Sequence, residues 1–201
     1  MRTILLIAAA SAALISGAAS AQDTPGDNGT AFRGVRVEGN VGGDRFQSQG
    51  VHNDKFGWGG TIGFDGQIGN NIVIGPEGSY WHANEGTENC TARSNGATCH
   101  KSFEEWGAAV RAGFLVTPST LVFGKGGYVS NEQRKRFTAA PGGVSFYDHF
   151  RTDGYQVGGG IEHTVTEGRM PAYVNVQYVY SQYSDHTSRQ RLMAGVGVRF
   201  K

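Results

Sequence analysis

The chain has 201 residues and a net charge of +1 from 18 basic and 17 acidic side chains, which excludes the strong basic excess of a nucleic-acid-binding protein. Its 11 Phe, 8 Tyr and 3 Trp, combined with this low net charge, exclude a disordered chain. Gly supplies 32 residues and Pro only 5, whereas the average Gly share is about 7%. This composition predicts one all-β domain with tight turns.

The first 21 residues have the pattern of a secretory signal peptide. Met1-Arg2 gives a positive start, an apolar run extends from Ile4 to Ile15, and Ala19-Ser20-Ala21 has the small residues that signal peptidase recognises. A membrane-anchoring helix is the alternative, but the run is shorter than the ~20 apolar residues that span a bilayer. We therefore expect cleavage after Ala21.

Alternation of apolar and polar residues predicts eight strands after this segment. In the first strand Val35, Val37 and Val41 share one face, and Arg36 and Glu38 share the other. The eight predicted strands, in chain order, cover residues 34–41, 55–68, 72–82, 106–116, 120–129, 155–163, 174–181 and 192–200. The pattern leaves the phase of the fifth strand open, because the run 121–123 is apolar on both faces.

The connections between these strands alternate in length. The long polar connections cover residues 45–54, 83–102, 131–150 and 183–189, and the short ones cover 69–71, 117–119 and 166–171. Short turns at one rim and long loops at the other are typical of an outer-membrane barrel. The pattern thus predicts an eight-stranded antiparallel up-and-down transmembrane β-barrel, with residues 1–21 as signal peptide, 22–33 as a short periplasmic segment and 34–201 as the barrel.

A soluble β-sandwich or lipocalin-like barrel has the same alternation, because period 2 does not distinguish inside from outside. Three details favour the membrane barrel. The polar faces are too rich in Gly to fill a sandwich core, and the chain finishes on a strand with a near-terminal Phe. The apolar faces also carry aromatic residues near the strand ends, as interfacial girdles do. These aromatic residues are Trp58, Tyr80, Trp106, Tyr155 and Tyr180.

Several segments resemble the small OmpA-like and OmpX-like outer-membrane barrels, in particular the porin-family surface antigens of alphaproteobacteria. The segments that carry the resemblance are Gly34-Val35-Arg36-Val37-Glu38-Gly39, Gly75-Pro76-Glu77-Gly78-Ser79-Tyr80, the run 120–128, the run 178–183 and the ending 192–200. The ending is similar to the C-terminal signal that the barrel-assembly machinery reads, except that Lys201 follows the closing Phe. The resemblance covers about 180 residues and implies a location in the outer membrane of a Gram-negative bacterium.

Cys90 and Cys99 lie in a polar segment of an exported chain, and two cysteines so closely spaced predict a disulfide. Two free thiols are the alternative. A metal site with the neighbouring histidines matches no zinc spacing.

The faces that we assign to the barrel interior carry charged residues of both signs. These residues are Arg36, Glu38, Asp65, Glu77, Arg111, Lys125, Glu162 and Arg199. Eight strands enclose a lumen just wide enough for side chains, so these charges are expected to pair and form a plug. A selectivity ring that lines a narrow channel is the alternative.

No motif predicts an enzyme or a cofactor. His186-Thr187-Ser188 has the His-x-Ser spacing of lipid A deacylases, but residues 192–201 contain no Asp or Glu to orient the histidine. His149 with Asp148 or Asp153 is a weak candidate for a metal site. The glycine run 158–160 precedes no helix and so is no phosphate loop.

We therefore expect a protein of envelope structure and surface display, with four extracellular loops. A narrow channel, an adhesin and a lipid A-modifying enzyme remain alternatives. Its expected partners are outer-membrane lipid and lipopolysaccharide, the barrel-assembly machinery, and host or phage ligands at the loops, but no nucleic acid.

Overall fold

The computed structural model describes residues 32–48, 51–94, 96–184 and 186–200. The predicted signal peptide lies outside these residues. Eight antiparallel strands form the fold: β1 Gly34–Ser48, β2 Val51–Ile68, β3 Ile72–Arg93, β4 Gly96–Thr117, β5 Thr120–Ala139, β6 Phe146–Thr164, β7 Ala172–Tyr183 and β8 Ser188–Phe200. In the described part of the chain, no helix is long and apolar enough to cross a membrane.

Each strand pairs with its sequence neighbours, and β1 pairs with β8 to close the barrel. The closing register runs from Val35 opposite Phe200 to Gln47 opposite Ser188. The predicted eight-stranded up-and-down barrel is confirmed. Closure leaves no unpaired edge in the barrel wall, so its backbone groups are satisfied within the fold.

The apolar face of every strand points outwards. Val37, Trp58, Ile62 and Val176 are exposed, whereas Arg36 is 1% exposed. In a soluble barrel the apolar residues would fill the interior, so this arrangement contradicts the soluble alternatives. The structure also resolves the phase of β5: Leu121 and Lys125 point inwards.

The predicted long loops are wrong in one respect, because the strands continue into them. The segment 83–102 forms the upper parts of β3 and β4, and the segment 131–150 is occupied largely by the end of β5 and the start of β6. The segment 45–54 likewise contains the end of β1 and the start of β2. Polar composition indicated loops there, but hydrogen-bonded pairing between neighbouring strands extends through these polar residues. The short turns at 69–71 and 118–119 lie where the sequence predicts them.

Four of the extended strands form a protruding sheet, which we define as residues 84–93, 96–104, 131–139 and 146–153. Pairing of β2 with β3 stops at Gly57 opposite Ala83, and pairing of β6 with β7 stops at Gly154 opposite Tyr183. Beyond these points β3, β4, β5 and β6 pair only among themselves within the described residues. Register shifts between Ser102 and Glu105 mark the place where the sheet leaves the barrel.

Candidate functional site

The barrel interior contains a layer of paired charges near the short-turn end. Its eight members are the predicted lumen residues Arg36, Glu38, Asp65, Glu77, Arg111, Lys125, Glu162 and Arg199, and the structure places all of them among the buried residues. Four cations and four carboxylates give this lower ionic layer a net charge of zero. Strand alternation directs these side chains inwards, because every second residue of a strand faces the same side.

Arg36 joins one half of the lower ionic layer. Its guanidinium contacts Glu77, lies 3.3 Å from Asp65 Oδ2 and lies 3.5 Å from Glu38 Oε2. On the other side of Glu77, Lys125 Nζ lies 2.8 Å from Oε1. Each carboxylate therefore faces a cation that offsets the cost of its burial.

Arg199 links this half to the other. Its Nη2 lies 2.8 Å from Asp65 Oδ2 and 2.6 Å from Glu162 Oε1. Arg111 Nη2 lies 2.5 Å from Glu162 Oε2. The result is a continuous ladder of alternating charges across the lumen, from Lys125 to Arg111.

An apolar layer closes the barrel below these charges. Phe32, Val73, Leu115, Leu121 and Phe123 form one buried cluster at the short-turn end. Charged side chains of the ladder lie against it, since the Arg111 guanidinium lies 4.0 Å from the Phe123 ring centroid. Ions cross such a desolvated apolar layer only at high free-energy cost.

A second charged layer fills the opposite half of the lumen. Arg189 Nε lies 3.0 Å from Asp44 Oδ2, and Arg191 Nη2 lies 2.6 Å from Glu105 Oε1. The indole Nε1 of Trp81 donates a hydrogen bond of 2.7 Å to Asp44. This upper ionic layer also has zero net charge. Sequence analysis missed it because the predicted strands were too short, although the same alternation continues to these positions.

Amide side chains occupy the space between the two ionic layers. Gln177 Nε2 donates to Glu38 Oε1 at 3.1 Å and to Asn40 Oδ1 at 3.2 Å. Asn40 Nδ2 in turn donates to Thr61 Oγ1 at 3.2 Å. The described side chains inside the barrel thus form four consecutive layers: an apolar layer, the lower ionic layer, the amide layer and the upper ionic layer.

The outer wall carries an aromatic girdle at the base of the protruding sheet. The rings of Trp58 and Tyr80 lie 6.2 Å apart, and those of Tyr80 and Trp106 lie 4.8 Å apart. Tyr128 and Tyr155 are opposite each other and exposed on the same wall. Such rings typically lie at a membrane–water interface.

Cys90 and Cys99 form the predicted disulfide, and they lie directly opposite each other on β3 and β4. They therefore join two strands of the protruding sheet rather than closing an irregular loop. Cys90 is exposed and Cys99 is buried.

The weak candidate sites have other contacts in the structure. His149 Nε2 lies 2.7 Å from Glu132 Oε1. His186 is exposed with a positive φ of 63°, whereas Ser188 is only 9% exposed. The polar contact that His149 makes is therefore with Glu132, and burial leaves the Ser188 hydroxyl poorly accessible.

An exposed ion pair joins β1 and β2 at the end of the barrel where the strands extend beyond the girdle. Arg45 on β1 donates two hydrogen bonds to Asp54 on β2, of 2.6 and 2.8 Å. The hydrogen bond from Arg45 lowers the pKa of Asp54, so this carboxylate stays charged to a lower pH than an unpaired aspartate does.

Sequence comparison assigns the fold to a family. The family described as outer membrane protein beta-barrel domain matches residues 7–200, and the chain therefore belongs to it. The protein is an outer-membrane protein of a Gram-negative bacterium, and in this class the short turns are periplasmic and the long strand ends are extracellular. No curated protein sequence matches the chain.

Solved structures of small outer-membrane barrels have the same fold. Ail, the attachment invasion locus protein of Yersinia pestis, in complex with the heparin analogue sucrose octasulfate, is 17% identical with a TM-score of 0.53, and the alignment covers 84% of this chain and 100% of that chain. A second structure of Ail is 15% identical with a TM-score of 0.55 and the same coverage. Neisserial surface protein A is 16% identical with a TM-score of 0.50, covering 83% of this chain and 97% of that chain. At these identities the likeness shows the fold alone.

Proposed function

We propose that this family member is a non-conducting barrel that contributes to envelope structure and displays its four extracellular connections, above all the protruding sheet, at the cell surface. The observation that carries the proposal is the filled lumen. Two neutral layers of buried ion pairs and an apolar layer at the periplasmic end leave no continuous polar path for a solute. A selectivity ring, in contrast, needs charges that face water and attract one sign of ion.

The protruding sheet supports a role in surface contacts. Its two outer strands, at residues 84–93 and 146–153, have no strand paired on their outer side in the described part of the chain, although Asn53 donates to the Glu88 carbonyl and Ser184 to the Asp153 carbonyl. Strand edges with free backbone groups are sites where other chains dock. One of the Ail structures is a complex with the heparin analogue sucrose octasulfate, which is in keeping with a surface-binding role here.

We also propose that the protein is not an enzyme and that the barrel-assembly machinery inserts it through the strand at 192–200. Burial of Ser188 supports the first statement, because a nucleophilic serine must be reachable by its substrate.

Single-channel recording in planar bilayers tests the non-conducting barrel. The refolded protein is expected to give no discrete conductance steps. Protease protection of the same protein in vesicles serves as the control that it has inserted. Stable conductance steps from the inserted protein would overturn the proposal and favour the narrow channel.

A further inference from the structure

The outward face of the protruding sheet carries three cations on neighbouring positions. Lys101 lies opposite Arg134 in the pairing of β4 with β5, and Arg136 lies opposite Cys99. Ser102 and Gln133, the next pair in the register, are buried on the inward side. Since side chains alternate along a strand, Lys101, Arg134 and Arg136 face outwards, towards the surrounding membrane.

These cations exceed the carboxylates beside them. Arg134 Nη2 lies 3.3 Å from Glu88 Oε1. Among the described residues, Lys101 and Arg136 have no carboxylate within 4.0 Å, the limit for an ion pair. Glu88 also lies opposite Lys101 in the pairing of β3 with β4, so the three cations share this one carboxylate, which leaves a local excess of two positive charges. Closer to the barrel on this face, Glu132 and Glu104 both lie 3.8 Å from Arg151, and Glu132 also lies 2.7 Å from His149, so the excess of positive charge is confined to the three cations further out.

Two aromatic rings flank the same cations. Lys101 Nζ lies 5.2 Å from the Phe103 ring centroid. The Arg134 guanidinium lies 5.8 Å from the ring centroid of Phe103 and 6.0 Å from that of Tyr147, a residue that is 63% exposed. We call these five residues, Lys101, Phe103, Arg134, Arg136 and Tyr147, the outer cationic patch. Guanidinium and ammonium groups bind phosphate oxygens, while the ring faces offer flat apolar surface to a sugar.

The height of the patch indicates which ligand is within reach. Tyr128 belongs to the aromatic girdle, and Arg134 lies six residues further along the same strand and on the same face. With a rise of ~3.3 Å per residue and a tilt of ~40°, the patch lies roughly 15 Å above the girdle. That level is outside the hydrocarbon and beside the saccharides of the outer leaflet.

We propose that the outer cationic patch binds the phosphate-bearing saccharide of lipopolysaccharide in the protein's own membrane. The unpaired cations supply the charge, the rings supply the sugar-facing surface, and the outward orientation directs both towards neighbouring lipid. The proposal rests on the surface role proposed above and assigns a ligand to one face of the protruding sheet.

Calorimetric titration of the refolded full chain in detergent micelles with deacylated lipopolysaccharide tests this assignment. Lys101→Gln combined with Arg136→Gln is expected to weaken binding roughly 20- to 30-fold, because each cation near an anionic lipid surface contributes about a fivefold effect. Enzymatic removal of the phosphates from the saccharide is expected to abolish binding to the unmodified protein.

A matched control removes the same charge elsewhere. Lys135 lies on the inward face of the sheet opposite Asp148, and Arg45 lies on β1. Lys135→Gln combined with Arg45→Gln is expected to change the affinity by less than about twofold, since these cations lie outside the patch. Heat-modifiable migration on a gel confirms that both double variants are folded.

Three results would overturn the proposal. Equal losses in the two double variants would show unspecific attraction, and full binding of the dephosphorylated saccharide would show that the cations are not used. Binding of heparin but not of deacylated lipopolysaccharide would assign the patch to a sulfated polymer outside the cell. None of these results depends on conductance, so this proposal and the non-conducting lumen fail separately.

Discussion

Arg36 and Arg134 both lie on β-strands within reach of a glutamate, but they differ in their access to water. The Arg36 side chain is 1% exposed and contacts three carboxylates. The Arg134 side chain is 23% exposed, and the carboxylate that it contacts among the described residues is that of Glu88. Desolvation explains the difference: a buried cation is stable only when carboxylates compensate it, whereas a solvated cation needs no fixed partner. Charges in the lumen therefore hold the fold, and charges on the protruding sheet are available to a ligand.

The largest expected effect on stability comes from removing the buried cation of this comparison, Arg36. Arg36→Met removes the cation shared by Glu38, Asp65 and Glu77, and it should lower the free energy of unfolding by about 3–5 kcal/mol. The matched variant Arg134→Met should lower it by less than about 1 kcal/mol, because that pair is partly solvated. Urea unfolding of the protein refolded in lipid vesicles measures both values.

A neutral double variant sharpens the result. Arg36→Met with Glu38→Gln removes one charge of each sign, leaves Glu77 with Lys125 and Asp65 with Arg199, and should recover part of the loss. If Arg36→Met costs no more than Arg134→Met, water reaches the lumen charges and the plugged interior is wrong.

A smaller effect on stability is expected from substitutions on the two faces of β7 in the barrel wall. Val176 is 57% exposed on the outer face, and Asn175 is 4% exposed on the inner face. Val176→Arg should destabilise the inserted protein by about 2–4 kcal/mol, since a lipid-facing Arg near the midplane loses its hydration. Asn175→Ala should leave assembly intact, as measured by heat-modifiable migration. The reverse pattern would mean that the membrane does not contact the apolar face.

The smallest effect concerns the disulfide of the protruding sheet. Cys90→Ser with Cys99→Ser should cost about 2–3 kcal/mol in local unfolding of the β3–β4 hairpin, with no change in insertion. Greater cleavage of the hairpin by protease on whole cells is the expected readout. Equal cleavage of both forms would show that pairing of β4 with β5 already holds the hairpin. Failure of the double variant to insert would instead link the hairpin to barrel assembly.

The barrel wall was predicted correctly from the sequence, and its two faces lie in different environments, lipid outside and the lumen inside. Along β1, Arg36 and Glu38 alternate with Val35 and Val37, because one face meets lipid and the other meets the lumen. Apolar and polar residues therefore alternate along each strand, and this alternation identified the strands and all eight charges of the lower ionic layer. Asp44 continues the alternation of β1 and was missed only because the predicted strand ended at Val41.

The protruding sheet was taken for loops because its residues are polar on both faces. Residues 131–139 include Glu132, Arg134 and Lys135, and no apolar stripe marks them as a strand. Hydrogen bonds to neighbouring strands place them in the sheet, and such pairing depends on partners that are distant in sequence. The outer cationic patch has the same origin, since Lys101 and Arg134 become neighbours only in register.

The sequence alone determined the barrel class, the strand number and the face on which each lumen charge lies. A strand with one face towards lipid and the other towards the lumen alternates between apolar and polar residues with a period of two, and this pattern can be read without knowing which strands pair. Tertiary structure decided which charges pair, how far the strands extend and where β5 points. The run 121–123 is apolar on both sides, and only closure of the barrel against Phe32 and Val73 places Leu121 inside. Pairing is a property of three-dimensional distance: Arg199 and Asp65 are separated by 134 residues in the chain, yet lie 2.8 Å apart in the lumen.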